Sequence, residues 1–305
     1  MSRPGISTTK ETEGKPLDFS VLGEPLNKLL IATSNKLARE WPKPYSNVTG
    51  ARELFVMHVR TSRMSYISAL YLGADKPPDP LRLPEFCSSI PVLNRSILDS
   101  LFMIMFILED VPSRISWFWE ADWKEMRLEL DRYVEEYGSL PEWQPWLSQL
   151  SEHCNQGIVH AKLSPTQTSN PRALRSWPNP GAMSRHGISE TDPLPPNRAF
   201  MKYLNDYFYI DLSQQAHLGA WGMAKRGAVF LDEVQDDPRR QERLRKSRYA
   251  NLGQSVALVL ALASEIEGHF NFGLRQQARY VWGIARPAIV VVEEMYQKRY
   301  CELLD

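Results

Sequence analysis

Cysteine is scarce in this chain, with three residues in 305. Cys87, Cys154 and Cys301 are odd in number, far apart, and include no CxxC pair. That excludes a disulfide framework and a structural zinc site built on close-set thiolates. Net charge of either sign is missing as well, because 36 basic and 36 acidic residues cancel. No global field draws the chain to nucleic acid or to an anionic membrane surface, so such a partner has to be met by a local patch. Glycine is sparse, and strand-like patterning is confined to the short GAVFL segment at 227–231, which speaks against a β-rich fold. Long hydrophobic runs are missing too: the longest, Leu101 to Leu108, is too short to span a bilayer.

The first sixteen residues, MSRPGISTTKETEGKP, lack the apolar core of a signal peptide. With almost nothing to dock, residues 1–16 read as a flexible tail. Residues 17–305 read as a single domain of a reduced, soluble, cytoplasmic protein without a membrane partner. The common nucleotide and hydrolase motifs do not occur: no GxxxxGK[ST], no GxGxxG after a strand, no HExxH and no GxSxG. The nearest approach to a helical di-metal site is EIEGH, Glu265 to His269. It occurs once, and its Glu–His spacings are not the three that such sites use. No metal and no cofactor is expected.

What the chain does have is helical period. Apolar residues from Leu22 to Leu37 mark a first helix, ended by WPKPYSNVTG, and Leu54 to Leu70 mark a second, ended by GADKPPDP. Pro84 to Asp110 forms a third whose second half, SILDSLFMIMFIL, is apolar on nearly all sides, as a central core helix is. Pro112 to Tyr137 is amphipathic and aromatic, and Pro141 opens a helix to Leu163. The last third predicts helices over Asn197–Lys225, Pro238–Phe270 and Leu274–Leu304, the second capped by Asp237. The fold class is therefore all-α, a bundle of about eight helices. Residues 164–196, rich in proline, serine and asparagine, carry no lasting period and read either as a floppy insertion or as a lid. In the second case Arg172, Arg175, Trp177, Arg185 and His186 would reach a ligand.

Four constellations carry chemistry, each beside a plainer account. Ser213 and His217 share a helix face, one turn apart, so hydroxyl and imidazole can hydrogen-bond. The pair reads as an acid–base group near working pH or as a satisfied, interior-facing histidine. Arg95 and Asp99 also stand four apart, where a polar helix becomes apolar. They read as an anion-binding arginine held by its acid or as a structural ion pair. Arg52 and His58 match the loose spacing "Arg, four to six residues, His" of the helical ribonuclease superfamily HEPN. The run RRQERLRKSR, Arg239 to Arg248, is a phosphate-facing patch or a solvated helix face. The tryptophans Trp117, Trp119, Trp123, Trp143 and Trp146 form either an interface, if exposed, or core, if buried.

The helix PVLNRSILDSLFMIMFILED followed later by YFYIDLSQQAHLGAWG resembles a family of all-helical bacterial proteins of unassigned function. Its members look like "Arg, three residues, acid" on one helix and "Ser, three residues, His" on a later one, here Arg95, Asp99, Ser213 and His217. Glutamate is the usual acid, so Asp99 is a departure. The resemblance covers roughly residues 50 to 270 and is distantly HEPN-like. It implies action on, or binding of, RNA or a nucleotide in defence or stress. Arg95 would hold a phosphate, Asp99 would orient it, His217 would move a proton and Ser213 would fix its tautomer. The rivals are a non-catalytic helical interaction module and an enzyme on a small molecule. Assembly into a homo-oligomer stays open.

Overall fold

The computed structural model describes residues 19–73, 83–217, 223 and 238–304. Among these the protein is all helical, with no strand. The long α-helices are α1 (Phe19–Arg39), α2 (Ala51–Leu72), α3 (Leu83–Leu108), α4 (Val111–Tyr137), α5 (Gln144–Ala161), α6 (Pro196–Leu204), α7 (Ile210–Ala216), α8 (Pro238–Phe270) and α9 (Arg275–Ala285). The GAVFL segment, Trp221 and the Asp237 cap lie outside the described residues, as do residues 1–16. The chain divides into two compact units. The larger takes in residues 1–40, 55–105 and 180–305, and the smaller residues 41–54 and 106–179.

In the larger unit α8 is the axis. Every residue from Val256 to Ala263 is buried, so this stretch has no solvent face, and α1, α9 and the short helix Val290–Met295 pack on it. Several polar groups in this core are paired, since an unpaired one costs ~1–3 kcal/mol, while Ser62 Oγ and Tyr66 Oη are buried without a hydrogen-bond partner. Asn94 of α3 donates to the Asn251 carbonyl at 2.9 Å and accepts from Ser255 Oγ at 2.5 Å. Trp282 Nε1 donates to Ser264 Oγ at 2.9 Å. Glu265, the first carboxylate of EIEGH, is 5 % exposed. It accepts from Arg299 Nε at 2.5 Å and from Tyr300 Oη at 3.0 Å.

In the smaller unit α4 and α5 pack as a hairpin. Asp110 caps α4 by accepting from the Ser113 amide at 3.2 Å, which leaves Pro112 in the first turn, where its missing N–H costs nothing. Trp123 reaches across to donate to the Cys154 carbonyl at 3.0 Å. That close approach needs Gly157, since a Cβ there would stand 2.9 Å from the Trp123 ring. Gly50 sits at φ +72° under the ring of Trp119, a backbone region open mainly to glycine.

Three expectations are corrected. The stretch 274–304 is not one helix. Pro287 cannot donate to the helical ladder, and α9 ends at Ala285. The chain restarts as Val290–Met295, a π-turn over Tyr296–Tyr300 and a last turn at Cys301–Leu303. The stretch 197–225 is helical to Ala216, with a π-turn at Asn205–Tyr209 inside it, and α7 ends there with His217 as its cap, while 218–222, 224 and 225 lie outside the described residues. The stretch 164–196 is structured rather than floppy. Its prolines open the short helices Pro165–Ser169 and Pro180–Arg185 and a 3-10 turn at Pro171–Ala173. Ser164 and Gln167 close a capping box at the first of these.

α3 also departs from the reading of its apolar run as too short. Ser88–Leu108 is long and apolar enough to cross a membrane by length and composition, because Asn94, Arg95 and Asp99 are few in so long a window. Of that stretch, 67 % is buried within the protein.

Candidate functional site

α2 and α3 lie side by side in the larger unit, joined where His58 Nδ1 hydrogen-bonds Ser100 Oγ at 3.1 Å. Beside this junction is an open pocket of ≈ 480 Å³. α2 supplies Met57, His58 and Thr61, α3 supplies Val92, Arg95, Ser96, Asp99, Ser100 and Met103, and the end of α7 supplies Ala216 and His217. The structure thus gathers Arg95, Asp99 and His217, three residues singled out from two separate stretches of sequence, around one space.

Arg95 is the best-held of them. Its Nε donates to both carboxylate oxygens of Asp99 at 3.0 Å. Its guanidinium lies over the Tyr209 ring with Cζ 3.5 Å from the centroid, and its side chain is only 13 % exposed. Tyr209 is the last residue of the π-turn, a device that shifts helical register by one residue and often stands at functional sites. With Nε and one ring face engaged, Nη1 is left buried and without a hydrogen-bond partner.

The neighbours set the electrostatics. Burial pushes the His58 imidazole down to about 4, so His58 is neutral near pH 7 and bonds rather than carries charge. Asp99 is held above its usual value. Loss of water in the pocket raises it, and this outweighs the Arg95 hydrogen bond, the Arg95 charge and the His217 charge.

His217 is exposed, not interior-facing as the plainer account has it. It caps α7, its backbone amide donating to the Ser213 carbonyl at 2.9 Å, and its imidazole borders the pocket. The hydrogen bond shown between Ser213 and His217 is this main-chain one, and Ser213 does not line the pocket.

Arg52 and His58 do not act as a pair. Six positions on a continuous helix turn them about 120° apart. Arg52 instead meets Glu53 at 2.6 Å on an exposed face, while His58 belongs to the Arg95 pocket. Nor do the arginines of 164–196 line that pocket. Arg172 is exposed, and Arg175 stacks over Trp117 at 4.6 Å in the smaller unit. Arg185 donates to the Ser189 and Glu190 carbonyls at 3.1 and 3.2 Å, and His186 is exposed on the turn that follows. Trp177 packs edge-on against Trp117, Phe106 and Phe118. In the basic run, Arg245 and Lys246 are engaged by Glu242 at 2.8 and 3.5 Å.

The tryptophans divide. Trp117 and Trp123 are core, and Trp119 donates to the Thr49 carbonyl at 3.2 Å. At the tip of the α4–α5 hairpin, Trp143 stacks on Tyr137 at 4.3 Å and Trp146 meets Tyr133 edge-on at 4.8 Å, with Trp146 exposed.

Sequence reasoning missed Ser100 and Tyr209. Neither carries a motif, and both matter only through residues brought close by folding. No family model, no curated protein and no solved structure matches the chain.

Proposed function

We propose that this is a HEPN-like helical protein that acts on or binds RNA or a nucleotide, holding a phosphate group in the Arg95 pocket. One observation carries the reading: a guanidinium held between Asp99 and the Tyr209 ring belongs to a pocket that two histidines also line. A guanidinium pre-oriented by a carboxylate and an aromatic face suits an anion, and phosphate takes its forked donors well. In this reading Arg95 holds the phosphate, Asp99 and Tyr209 orient Arg95, and His217 takes or gives a proton at the mouth of the pocket. His58, kept neutral, offers a ring nitrogen to the bound group and is positioned by Ser100. A role in defence or stress belongs to the same proposal by resemblance alone.

The test is RNA cleavage and nucleotide binding measured side by side on wild type, Arg95→Gln and His217→Ala, with helical circular dichroism as the check on folding. The reading predicts that folded Arg95→Gln loses both and that folded His217→Ala keeps binding and loses any turnover. Wild type that neither binds nor cuts contradicts it.

The second reading, a helical interaction module, is favoured by the hairpin tip, where Trp143, Trp146, Tyr133 and Tyr137 form a partly exposed aromatic group. Aromatic side chains of this kind anchor interfaces.

A further inference from the structure

We infer that the tip of the α4–α5 hairpin docks a lysine- and arginine-rich segment of a partner protein, which rests on the interaction-module reading above and not on the Arg95 pocket.

Charge selects the partner. In a chain of zero net charge, residues 129–152 hold Glu129, Asp131, Glu135, Glu136, Glu142 and Glu152 against one cation, Arg132. Arg127, one turn earlier, meets Asp131 at 2.9 Å, and Arg132 stands 3.6 Å from Glu129. Glu135, Glu136 and Glu142 are exposed, and none of them forms an ion pair among the described residues. Glu136 takes a hydrogen bond from Tyr137 instead. Three carboxylates without cations at one end of a hairpin attract a basic chain and repel a phosphate backbone. That decides between the two kinds of chain an aromatic surface takes up, since nucleic-acid bases also stack on such rings.

The rings supply the contact surface. Tyr133 and Tyr137 stand one turn apart at the end of α4, Trp143 closes the 3-10 turn Pro141–Trp143, and Trp146 lies in the first turn of α5. Tyr137 stacks on Trp143 at 11°, and Tyr133 lies at 24° to the same ring, so three planes run nearly parallel. Trp146 crosses them, at 83° to Tyr133 and 87° to Trp143. A buried cluster of Leu130, Leu147 and Cys154 holds Tyr133 and Trp143 in place. Centroid separations of 4.3, 4.8 and 5.7 Å are those of rings in contact, so a cation has to lie on an outer face rather than between them. The chain's own Arg132 does this, its Cζ 4.8 Å from the centroid of Tyr133, as guanidinium groups do on aromatic faces. Trp146 is 40 %, Leu140 38 % and Val134 50 % exposed, an apolar surface for the stems of lysine and arginine. A peptide reaches several of these groups at once, where a small cation reaches one.

The experiment is fluorescence anisotropy of labelled probes with the full chain, beside sedimentation of the chain alone. The probes are a short peptide of arginine and lysine interspersed with leucine, the same peptide with glutamate in place of its basic residues, and a short single-stranded RNA. Wild type is compared with Trp146→Ala, with the combined variant Glu135→Gln, Glu136→Gln and Glu142→Gln, and with Arg95→Gln, all checked by circular dichroism. The basic peptide is expected to bind wild type about tenfold or more tighter than the acidic one, and more weakly as salt rises. Trp146→Ala and the combined variant are each expected to weaken it about tenfold. The combined variant keeps every ring, so a fold damaged by loss of the indole does not decide the outcome. Arg95→Gln is expected to bind the peptide as wild type does, which separates this result from the phosphate reading. No binding of the basic peptide, equal binding of the acidic one, or indifference of the basic peptide to both tip variants overturns the inference. RNA binding or self-association that Trp146→Ala abolishes gives the tip to nucleic acid or to a second copy, and overturns it while the tip remains an interaction surface. If neither the peptides, the RNA nor self-association responds to folded Trp146→Ala, the interaction-module reading falls with it.

Discussion

The guanidinium of Arg95 lies flat on the ring of Tyr209, Cζ 3.5 Å from its centroid. Two helices far apart in sequence meet in that contact, and it fixes the direction in which Arg95 points. Such a stack contributes about 0.5–2 kcal/mol depending on how dry it is. Tyr209→Ala is expected to lower stability by that order and to weaken phosphate binding at least as much as it weakens the fold. Tyr209→Phe keeps the ring and is expected to match wild type in both thermal melts and binding titrations. If Tyr209→Ala leaves binding untouched, the ring is not what aims Arg95.

His58 makes stability depend on pH in a definite direction. Its folded value, about 4, lies below its ordinary 6.5, so folding favours the neutral ring. The contribution is fully present above about pH 6.5 and is lost as pH falls through that window toward 4. Its full size is about 3 kcal/mol. His58→Gln is expected to flatten the decline between pH 6.5 and 4 in urea unfolding, relative to wild type. Burial also lowers His269, so it is the difference between the two proteins that reports His58. Parallel curves would contradict the assignment.

Asp99 acts with the opposite sign. Its carboxyl sits above the ordinary value because partial loss of water outweighs the help of Arg95, so it takes up a proton as the pH falls into the acid range sooner than a fully solvated aspartate would. Protonation removes a negative charge from beside the bound anion. Sulfate, whose charge is constant over this range, is therefore expected to bind wild type more tightly as pH falls from neutral. In Asp99→Asn that dependence should weaken, the amide oxygen still accepting from Arg95 Nε, and because His58 and His217 border the pocket in both proteins it is the difference between the two profiles that reports Asp99. A pH profile unchanged by the substitution would remove Asp99 from the site.

Glu265 and Arg299 test the core. Their side chains are 5 % and 14 % exposed, and they meet at 2.5 Å, with Tyr300 as a third partner. Removing one member of a buried pair leaves the other charge uncompensated and costs about 3–5 kcal/mol. Glu265→Ala is expected to lose that much in urea unfolding, and Glu265→Gln less, since an amide still accepts from Tyr300. A loss within 1 kcal/mol for Glu265→Ala, on the order of a surface pair, would contradict the packing described.

Much of this was legible in the chain because it is local. α1 to α5 and α8 follow the 3.6-residue period, and Arg95 with Asp99 stand one turn apart on a single helix, so their ion pair follows from spacing alone. What the period hides is what interrupts it. The π-turn at Asn205–Tyr209 leaves the apolar pattern nearly unchanged, yet it is where Tyr209 meets Arg95. The breaks after Ala285 and Ala216 likewise sit inside patterns that continue past them. Proline-rich composition made 164–196 look unstructured, whereas Pro165, Pro171, Pro180 and Pro196 open short helical elements. The partners of His58 and Glu265, namely Ser100 and Arg299, come from distant stretches, and nothing in one sequence names them. His58 itself carried a motif, but with Arg52 on another face of α2, and only the structure transfers it to the Arg95 pocket.

The central claim is that Arg95 holds a phosphate. Its most direct test is the phosphorus NMR signal of each common ribonucleoside monophosphate, titrated with wild-type protein and with Arg95→Gln of matched circular dichroism. The account predicts that wild type shifts or broadens the signal of at least one nucleotide and that Arg95→Gln returns it to the free position. Equal perturbation by both proteins, or none by wild type, would contradict it.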